Sequence, residues 1–232
     1  MSLLTACTNA LTEIGGFQIP SSFYGSTDAT ARQCVSLVVR EGMTLEREHR
    51  WSSLITSTTI TTVSGTASYA LPSDFRAFAN MSQWDRTNSI PLIGPTTAHT
   101  WQFLKSGLSA SATINRWFRV QNGYIYIHPT PSSADTLAYD YYSKSWIIKQ
   151  ADSSYVSAFN SDNDTLRLDE ELVTLGLKWR FLQAKGMPYQ PEYAEYEAIK
   201  TELYGDDGGR GMINLGRPFL NATNLPDTNF GS

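Results

Sequence analysis

Residues 169–182 have the sequence DEELVTLGLKWRFL, which is the strongest helical pattern in the chain. The apolar stripe of this pattern consists of Leu172, Leu175, Trp179 and Leu182. Spacings of three and four residues place these side chains on one face of a helix. Asp169 is positioned as the helix cap, and Glu170 and Glu171 follow in the first turn, where the helix dipole favours negative charge. We therefore predict a helix that begins after Asp169 and ends before Gly186.

Two helices are predicted near the start of the chain. The first covers Leu3–Ile14, where apolar residues have the same spacing, and Gly15 ends it. The second begins at a cap on Thr27 or Asp28. Its apolar stripe consists of Ala31, Cys34, Val35, Val38, Met43 and Leu45. We expect the charged side chains in its last part to form a solvated face: Glu41, Glu46, Arg47, Glu48 and Arg50.

The hydrophobic period changes between residues 54 and 148. β-Branched residues fill positions 58–63, and a further strand with an aromatic face is predicted over residues 137–148. The clearest element is a hairpin whose two alternating arms are joined by Asn122-Gly123, because both residues tolerate the positive φ angles of a tight turn. One helix is predicted within this region, from Thr97 to Lys105. The rest of the region has the pattern of antiparallel strands and turns.

The last part of the chain changes character after one more helix. That helix is predicted from Pro191 to about Tyr204, and Gly205 ends it. Residues 206–232 show no period, although they contain several large apolar side chains. Such a segment cannot bury enough surface to order itself, yet it is too apolar for an inert linker. We predict an extended arm that becomes ordered on a partner.

These patterns predict an α+β fold. Residues 1–53 and 165–205 would form an α-helical bundle from the N- and C-terminal helices. Residues 54–164 would form an inserted antiparallel β-rich domain. Residues 206–232 would form an extended C-terminal arm.

Motifs for catalysis or for a cofactor are lacking. No histidine has the spacing of a metal site, and no P-loop, GxGxxG or GxSxG motif is present. The acidic run from residue 162 does not match a calcium loop, because Arg167 takes the sixth position, where glycine is needed. Cys7 and Cys34 lie in helical patterns, which favours free, buried thiols. We expect no enzymatic activity, no cofactor and no metal.

The amino-acid composition restricts the classes of molecule that the chain is expected to bind. The net charge of −4 argues against a protein that binds nucleic acid by neutralising phosphates. Only 17% of the residues are charged, which suits surfaces that contact other surfaces. The first residues lack the basic and apolar regions of a secretory signal, and no stretch has the length of a membrane span, so we expect no membrane association.

The aromatic residues of the β-rich region leave an alternative open. They are Trp84, Trp101, Trp117, Tyr124, Tyr126, Tyr139, Tyr141, Tyr142 and Trp146. They would suit either the core and contact surfaces of a structural domain or the platform of a carbohydrate-binding module. Paired carboxylates of a cell-wall glycoside hydrolase would come from distant strands, so sequence spacing does not exclude that class.

Four phrases in this order carry a resemblance to a known family. They are LLTACTNALTEIG at residues 3–15, LPSDFR at residues 71–76, the helix at residues 169–182, and GMP at residues 186–188 followed by EYAEYE at residues 192–197. With the helix–β–helix layout, they resemble the head–tail adaptor (connector) proteins of tailed bacteriophages. Tail tubular protein A and the tail accessory factor of short-tailed phages are of this kind.

The resemblance implies a structural subunit of the virion neck. Such subunits form a ring of twelve copies below the portal protein and above a nozzle or tail-tube protein, framing the channel through which phage DNA passes. They are assembled in the host cytoplasm and have no catalytic residues. The resemblance also implies that the C-terminal arm docks on the portal. The arm residues expected to make this contact are Arg210, Met212, Leu215, Arg217, Phe219 and Phe230.

Overall fold

The computed structural model of the chain describes residues 1–106 and 115–207. The helices are α1 (Leu3–Ile14), α2 (Ala29–Glu48), α3 (Ala98–Lys105), α4 (Glu170–Ala184) and α5 (Gln190–Asp207). The strands are β1 (Ile55–Thr61), β2 (Ser68–Ala70), β3 (Phe75–Phe78), β4 (Trp84–Asp85), β5 (Ile90–Ile93), β6 (Arg116–Gln121), β7 (Tyr124–His128), β8 (Thr136–Ser143), β9 (Ile147–Ile148), β10 (Tyr155–Val156) and β11 (Thr165–Leu166). The mixed α+β class is confirmed, whereas the predicted arm lies from residue 208 onward outside the described residues.

Side-chain caps define where the helices begin. Asp28 accepts a hydrogen bond from the backbone N–H of Ala31 at 2.9 Å, so the aspartate and not Thr27 caps α2. Asp169 accepts from the N–H of Leu172 at 2.8 Å, and the predicted cap of α4 is confirmed. Each such cap stabilises a helix by about 1 kcal/mol, because it satisfies a donor that has no partner within the helix.

Helix α4 lies at the centre of the helical part and packs against α1, α2 and α5. The sequence predicted a single apolar stripe, but α4 also buries residues outside that stripe: Val173, Gly176, Leu177 and Phe181. A helix with neighbours on several sides buries more than one face. The predicted stripe is therefore part of a larger buried surface.

A buried carboxylate joins three helices. Glu41 on α2 has no exposed surface, and its Oε2 accepts a hydrogen bond from Nε of Arg180 on α4. Its Oε1 accepts from the hydroxyl of Tyr196 on α5 at 2.6 Å. Gly176 on α4 leaves room for this carboxylate, because a Cβ at that position would lie 2.5 Å from Cδ of Glu41. Both oxygens of the buried acid are therefore satisfied.

The prediction of a solvated charged face on α2 is wrong for two of its residues. Glu41 is fully buried and Glu46 is 7% exposed, with Oε1 of Glu46 lying 3.3 Å from Nε of Arg76 on β3. Their cationic partners come from distant parts of the chain, which the helical pattern alone does not reveal. Met43, predicted to lie on the apolar stripe, is instead 42% exposed. Its side chain points outward because Met43 lies on the side of α2 opposite Cys34, Val38 and Leu45, which form the buried face.

The large sheet has eight strands and is nearly closed. Its order is β1-β8-β4-β5-β6-β7-β2, and β3 also pairs with β8. Among the described strands, every pair in this sheet is antiparallel except β5 with β6, where Leu92 lies opposite Arg116. The prediction of a wholly antiparallel β-rich domain is therefore wrong for the pair of β5 and β6. The connection through α3 returns the chain in the same direction, and such a crossover permits a parallel pair.

The predicted hairpin is confirmed as β6 and β7. Asn122 and Gly123 have φ angles of 51° and 76°, as the tight turn requires. Side chains alternate between the two faces of each arm, so Phe118, Ile125 and Ile127 point inward. There they form the core of the large sheet with residues of neighbouring strands. The hairpin therefore supplies much of the core of the β-rich part.

A second, three-stranded sheet packs with the helices. Its order is β10-β9-β11, so the long strand predicted over residues 137–148 is divided into β8 and β9. The division follows from Trp146, whose ring lies against Gly42 of α2, where an added Cβ would be 2.5 Å from the ring. Ile147 and Leu166 join the hydrophobic cluster of the helices. The proposed domain division at residues 53 and 164 stays a prediction.

Two arginines join the large sheet and the helices. Arg76 on β3 donates to the carbonyl oxygen of His49 at 2.9 Å and to other carbonyls at the end of α2. These carbonyls lack partners within the helix and attract positive charge. Arg167, which lies just before α4, donates to the carbonyl oxygens of Ser53 at 2.7 Å, Ser145 at 3.0 Å and Ile55 of β1 at 3.2 Å. Both cations thus act as multidentate donors to backbone oxygens.

An ionic cluster lies inside the β-rich part. Arg116 on β6 contacts Asp85 at 2.8 Å and also pairs with Asp135, and both aspartates are buried. The hydrogen bond from Arg116 lowers the pKa of Asp135 below its usual value. One cation therefore neutralises two buried acids.

We predict that Gly176→Ala destabilises the protein by about 1–3 kcal/mol, because the added methyl would overlap the side chain of Glu41. Gly205→Ala is the matched control, since Gly205 lies in α5 with nothing near its Cβ position. That change should stabilise the chain by about 0.5–1 kcal/mol through helix propensity. Urea unfolding followed by circular dichroism measures both effects, and equal midpoints for the two variants would contradict the prediction.

We predict that Arg116→Leu costs about 3–5 kcal/mol at pH 7, because it leaves two buried carboxylates unpaired. Since the native pKa of Asp135 is lowered, the contact stabilises the protein above about pH 4 and this stabilisation is lost as pH falls through the native pKa. In urea titrations, the loss of unfolding free energy caused by Arg116→Leu should therefore become smaller as the pH approaches 3. Arg119→Leu on the same strand is the control, and its effect should not vary with pH. A deficit for Arg116→Leu that stays constant from pH 7 to pH 3 would count against this role.

Candidate interaction surfaces

The residues predicted to contact a portal lie outside the described parts of the chain. These residues are Arg210, Met212, Leu215, Arg217, Phe219 and Phe230. Their role therefore stays a prediction. The structure does describe the point from which this segment starts, because α5 ends at Asp207.

The last turn of α5 is attached to the end of α2. The carboxylate of Asp207 accepts a hydrogen bond from the N–H of Ser52 at 2.9 Å and lies 3.2 Å from Nε2 of His49. The ring of Tyr204 stacks on that of His49 with centroids 4.6 Å apart, and its hydroxyl donates to Glu48 at 3.0 Å. Burial raises the pKa of Tyr204, which keeps this hydroxyl protonated. The described end of α5 is thus held against the end of α2.

The sequence did not predict this anchor. Gly205 was expected to end the helix, but α5 continues through it to Asp207. The partners of Asp207 lie more than 150 residues away along the chain, so no local pattern indicates the contact. In the sequence, only the two acidic residues after Gly205, Asp206 and Asp207, indicated that this end of the helix could pair with other groups.

A cleft of about 1010 Å³ lies between α1, α4 and α5, beside this anchor. We refer to it as the acidic cleft. Its cations already have partners: Lys178 lies 3.2 Å from Glu13, the amino group of Met1 pairs with Glu170, and Arg167 donates to backbone carbonyls. The cleft therefore offers little free positive charge.

Apart from Asp169, which caps α4, three acids of the acidic cleft have no ionic partner among the residues that the structure describes. They are Glu171 at the start of α4, and Glu195 and Asp206 on α5. All three side chains are exposed. Because they lie on two helices along the cleft, they give it an uncompensated negative charge.

A row of outward-facing residues follows α2. The row is Arg32, Ser36, Arg40, Met43 and Arg47, and all of these residues are exposed. Steps of three and four residues place them on one side of the helix. Within residues 1–106 and 115–207, the three arginines form no ion pair. We refer to this row as the basic face.

The described residues offer little for catalysis. Among them, no group of three or more His, Cys, Asp or Glu side chains is arranged to hold a metal. Burial raises the pKa of the Cys34 thiol to about 11 and also raises that of Cys7, so both remain unreactive thiols, as predicted for buried cysteines. Burial lowers the pKa of His128, and His49 is engaged with Asp207. No helix in the described parts combines the length and apolar character needed to cross a bilayer.

Most aromatic residues of the β-rich part serve the interior. Trp101, Tyr139, Tyr141 and Trp146 are all buried, and Trp146 packs edge-on against Phe159 with ring centroids 5.4 Å apart. A sugar platform needs exposed rings on one surface. The carbohydrate-binding alternative is therefore not favoured.

The model of the SU10 adaptor protein family matches residues 1–215 of the chain. This match includes every described element from α1 to α5. It also includes Arg210, Met212 and Leu215 of the predicted portal contact, whereas Arg217, Phe219 and Phe230 lie beyond it. No curated protein matches the chain.

We predict that Asp207→Ala loosens the last turn of α5 with little effect on global stability. Loss of the contacts to Ser52 and His49 should make amide exchange near residue 207 about tenfold faster, corresponding to about 1.4 kcal/mol. Hydrogen-exchange mass spectrometry measures this effect. Asp206→Ala is the control, because its exposed side chain makes no such contact, and similar exchange in the two variants would rule out the anchor.

Proposed function

We propose that this chain, which belongs to the SU10 adaptor protein family, is a subunit of the ring that joins a phage capsid to its tail. The family is one of structural bacteriophage adaptors and not of enzymes. The match over residues 1–215 is the observation that carries the proposal. It extends beyond the helices and includes the β-rich part between them. Similarity to tail tubular protein A in particular stays a prediction.

The proposed assembly is a homo-oligomeric ring in the virion neck. The ring would have twelve copies, with the portal protein on one side and a nozzle or tail-tube protein on the other. DNA would pass through its channel without sequence-specific contacts. A cohesive subunit supports this proposal, because the buried contacts of Glu41 and the donors Arg76 and Arg167 join the helices and the sheet into one piece. A ring subunit must keep its shape while it contacts different neighbours.

We assign portal contact to the segment after Asp207. The segment contains large apolar side chains without helical or strand period, which suits a segment that orders on its partner. Its starting point supports the assignment, because the contacts of Asp207 and Tyr204 fix where it leaves the helices. A held attachment point raises the effective concentration of an attached binding segment at a neighbouring partner.

We predict that a chain ending at Asp207 folds but loses its affinity for the portal protein of the same phage by at least about 100-fold. Ending at Asp207 keeps the contacts that anchor α5, so folding and binding are tested separately. Binding to immobilised portal rings is measured by biolayer interferometry, and thermal unfolding verifies the folded core. A full-length variant with Met212, Leu215 and Phe219 changed to Ser is the matched control for length and should also lose binding.

Two results would contradict this assignment at different levels. A truncated chain that binds as tightly as the full chain would remove the role of the segment. A full-length chain that does not bind portal rings would remove the adaptor proposal itself. Native mass spectrometry of the complex counts the bound copies, and a number other than twelve would correct the ring size.

A further inference from the structure

We propose that the basic face of α2 on one copy docks on the acidic cleft of the next copy, so that these two surfaces are the unlike halves of the ring contact. The inference rests on the proposed ring function and names the surfaces that would build it. A ring with head-to-tail contacts needs two different, complementary surfaces on every subunit. The structure offers one surface of each sign.

The basic face is free for a partner along much of α2. The distance from Arg32 to Arg47 corresponds to about 22 Å of helix. Positions that point into the helical core, such as Cys34, Val38 and Leu45, lie on the opposite side of the helix. The side chains of the row are exposed along this length, and Arg76 of β3 and Tyr155 of β10 line a second hollow beside Met43 and Arg47. A shallow hollow of about 460 Å³ surrounds Met43 on this face.

Met43 favours a protein partner for this face. Its thioether side chain is 42% exposed between Arg40 and Arg47. Methionine and arginine are enriched in protein interfaces, whereas a site for DNA phosphates needs dense positive charge. Three arginines on a chain of net charge −4 provide little such charge. The face therefore suits an acidic protein surface with apolar parts.

The acidic cleft has the matching chemistry. Its free acids Glu195 and Asp206 are separated by about 16 Å along α5, and Glu171 lies across from them at the start of α4. Leu175 and Leu203 add apolar surface to the lining. The cleft thus combines free carboxylates with apolar side chains, as the basic face combines free guanidinium groups with a methionine. The free acids on α5 extend over about 16 Å, within the length of about 22 Å that the basic face covers.

The two surfaces lie on opposite sides of α4. Glu41 of α2 contacts α4 through Gly176 and Arg180, so α2 covers that side. The acidic cleft is lined by Glu171 and Lys178, which point to the other side of the same helix. Each subunit would therefore present the basic face to one neighbour and the acidic cleft to the other. This arrangement is what repeated head-to-tail contact requires.

Such a contact should be weak for an isolated pair of subunits and sensitive to salt. Exposed ion pairs contribute little individually and are screened as ionic strength rises. Binding to a portal ring would place many copies side by side and so favour the same contact at lower concentration. We therefore expect self-association to be strongest at low salt and to increase on portal rings.

The test exchanges charges between the two surfaces. One variant carries Arg40→Glu and Arg47→Glu on the basic face. The second carries Glu171→Lys and Glu195→Lys in the acidic cleft. A third carries all four changes. Arg86→Glu with Lys105→Glu is the matched control, because both side chains are exposed in the β-rich part and the change in net charge equals that of the first variant.

Self-association is measured by native mass spectrometry and by sedimentation at low and physiological salt, with and without portal rings. We expect each two-site variant alone to associate at least tenfold more weakly than the wild type, because it places like charges opposite each other. Mixing the two variants should restore association, since each reversed surface then meets its complement. The four-site variant should also associate, and the control should match the wild type.

Restoration on mixing also shows that the variants are folded. The inference is overturned if the two-site variants associate like the wild type, if mixing restores nothing, or if the wild type forms no oligomer in any of these conditions. It is also overturned if Arg40→Glu with Arg47→Glu abolishes binding of a 30-base-pair DNA duplex while association is unchanged, because the basic face would then contact DNA. Portal binding by single copies with unchanged association of all variants would leave the adaptor proposal standing and reject only this contact.

Discussion

The contact between Glu41, Arg180 and Tyr196 is the constraint on which the helical part depends. Glu41 is completely buried, and its partners lie 139 and 155 residues further along the chain. An unpaired charge in this position would cost about 3–5 kcal/mol, a large fraction of the stability of an ordinary domain. Folding therefore requires α2, α4 and α5 to come together. A buried ion pair adds little net stability over apolar packing, but it tolerates few alternative arrangements, which makes it a device for a unique structure.

The positions of the other parts follow from this contact. Gly176 on α4 allows α2 and α4 to approach closely. Trp146 packs against Gly42 on α2, and this contact brings the three-stranded sheet onto the helical part. Arg76 then joins the large sheet to the carbonyl groups at the end of α2. Because the inner sides of α2 and α4 are committed to each other, their outer sides remain for neighbours. The interior contact thus determines which charges of α2 and α4 remain at the surface.

Local sequence patterns predicted several elements correctly, because the physical cause of each element is itself local. Helix α1 has its predicted bounds, Asp169 caps α4, and Asn122-Gly123 joins the hairpin. The errors concern contacts between distant segments. The parallel pair of β5 and β6 depends on where a crossover returns the chain, and the division between β8 and β9 depends on the packing of Trp146. The candidate surfaces belong to this second group, since a cleft between helices has no local pattern.

The sequence by itself determined the α+β class, most helix and strand positions, and the resemblance to phage adaptor proteins, because periodicity, capping and ordered phrases are properties of the linear chain. Only the tertiary structure decided what each charge does. Glu41 and Glu171 both appeared as charges on helices, yet Glu41 is buried where three helices meet and Glu171 is exposed at the acidic cleft. The reason is that the state of a charge depends on desolvation and on partners that folding brings from distant parts of the chain. A single helix cannot distinguish a carboxylate that will be buried against a distant arginine from one that will remain free for a neighbour.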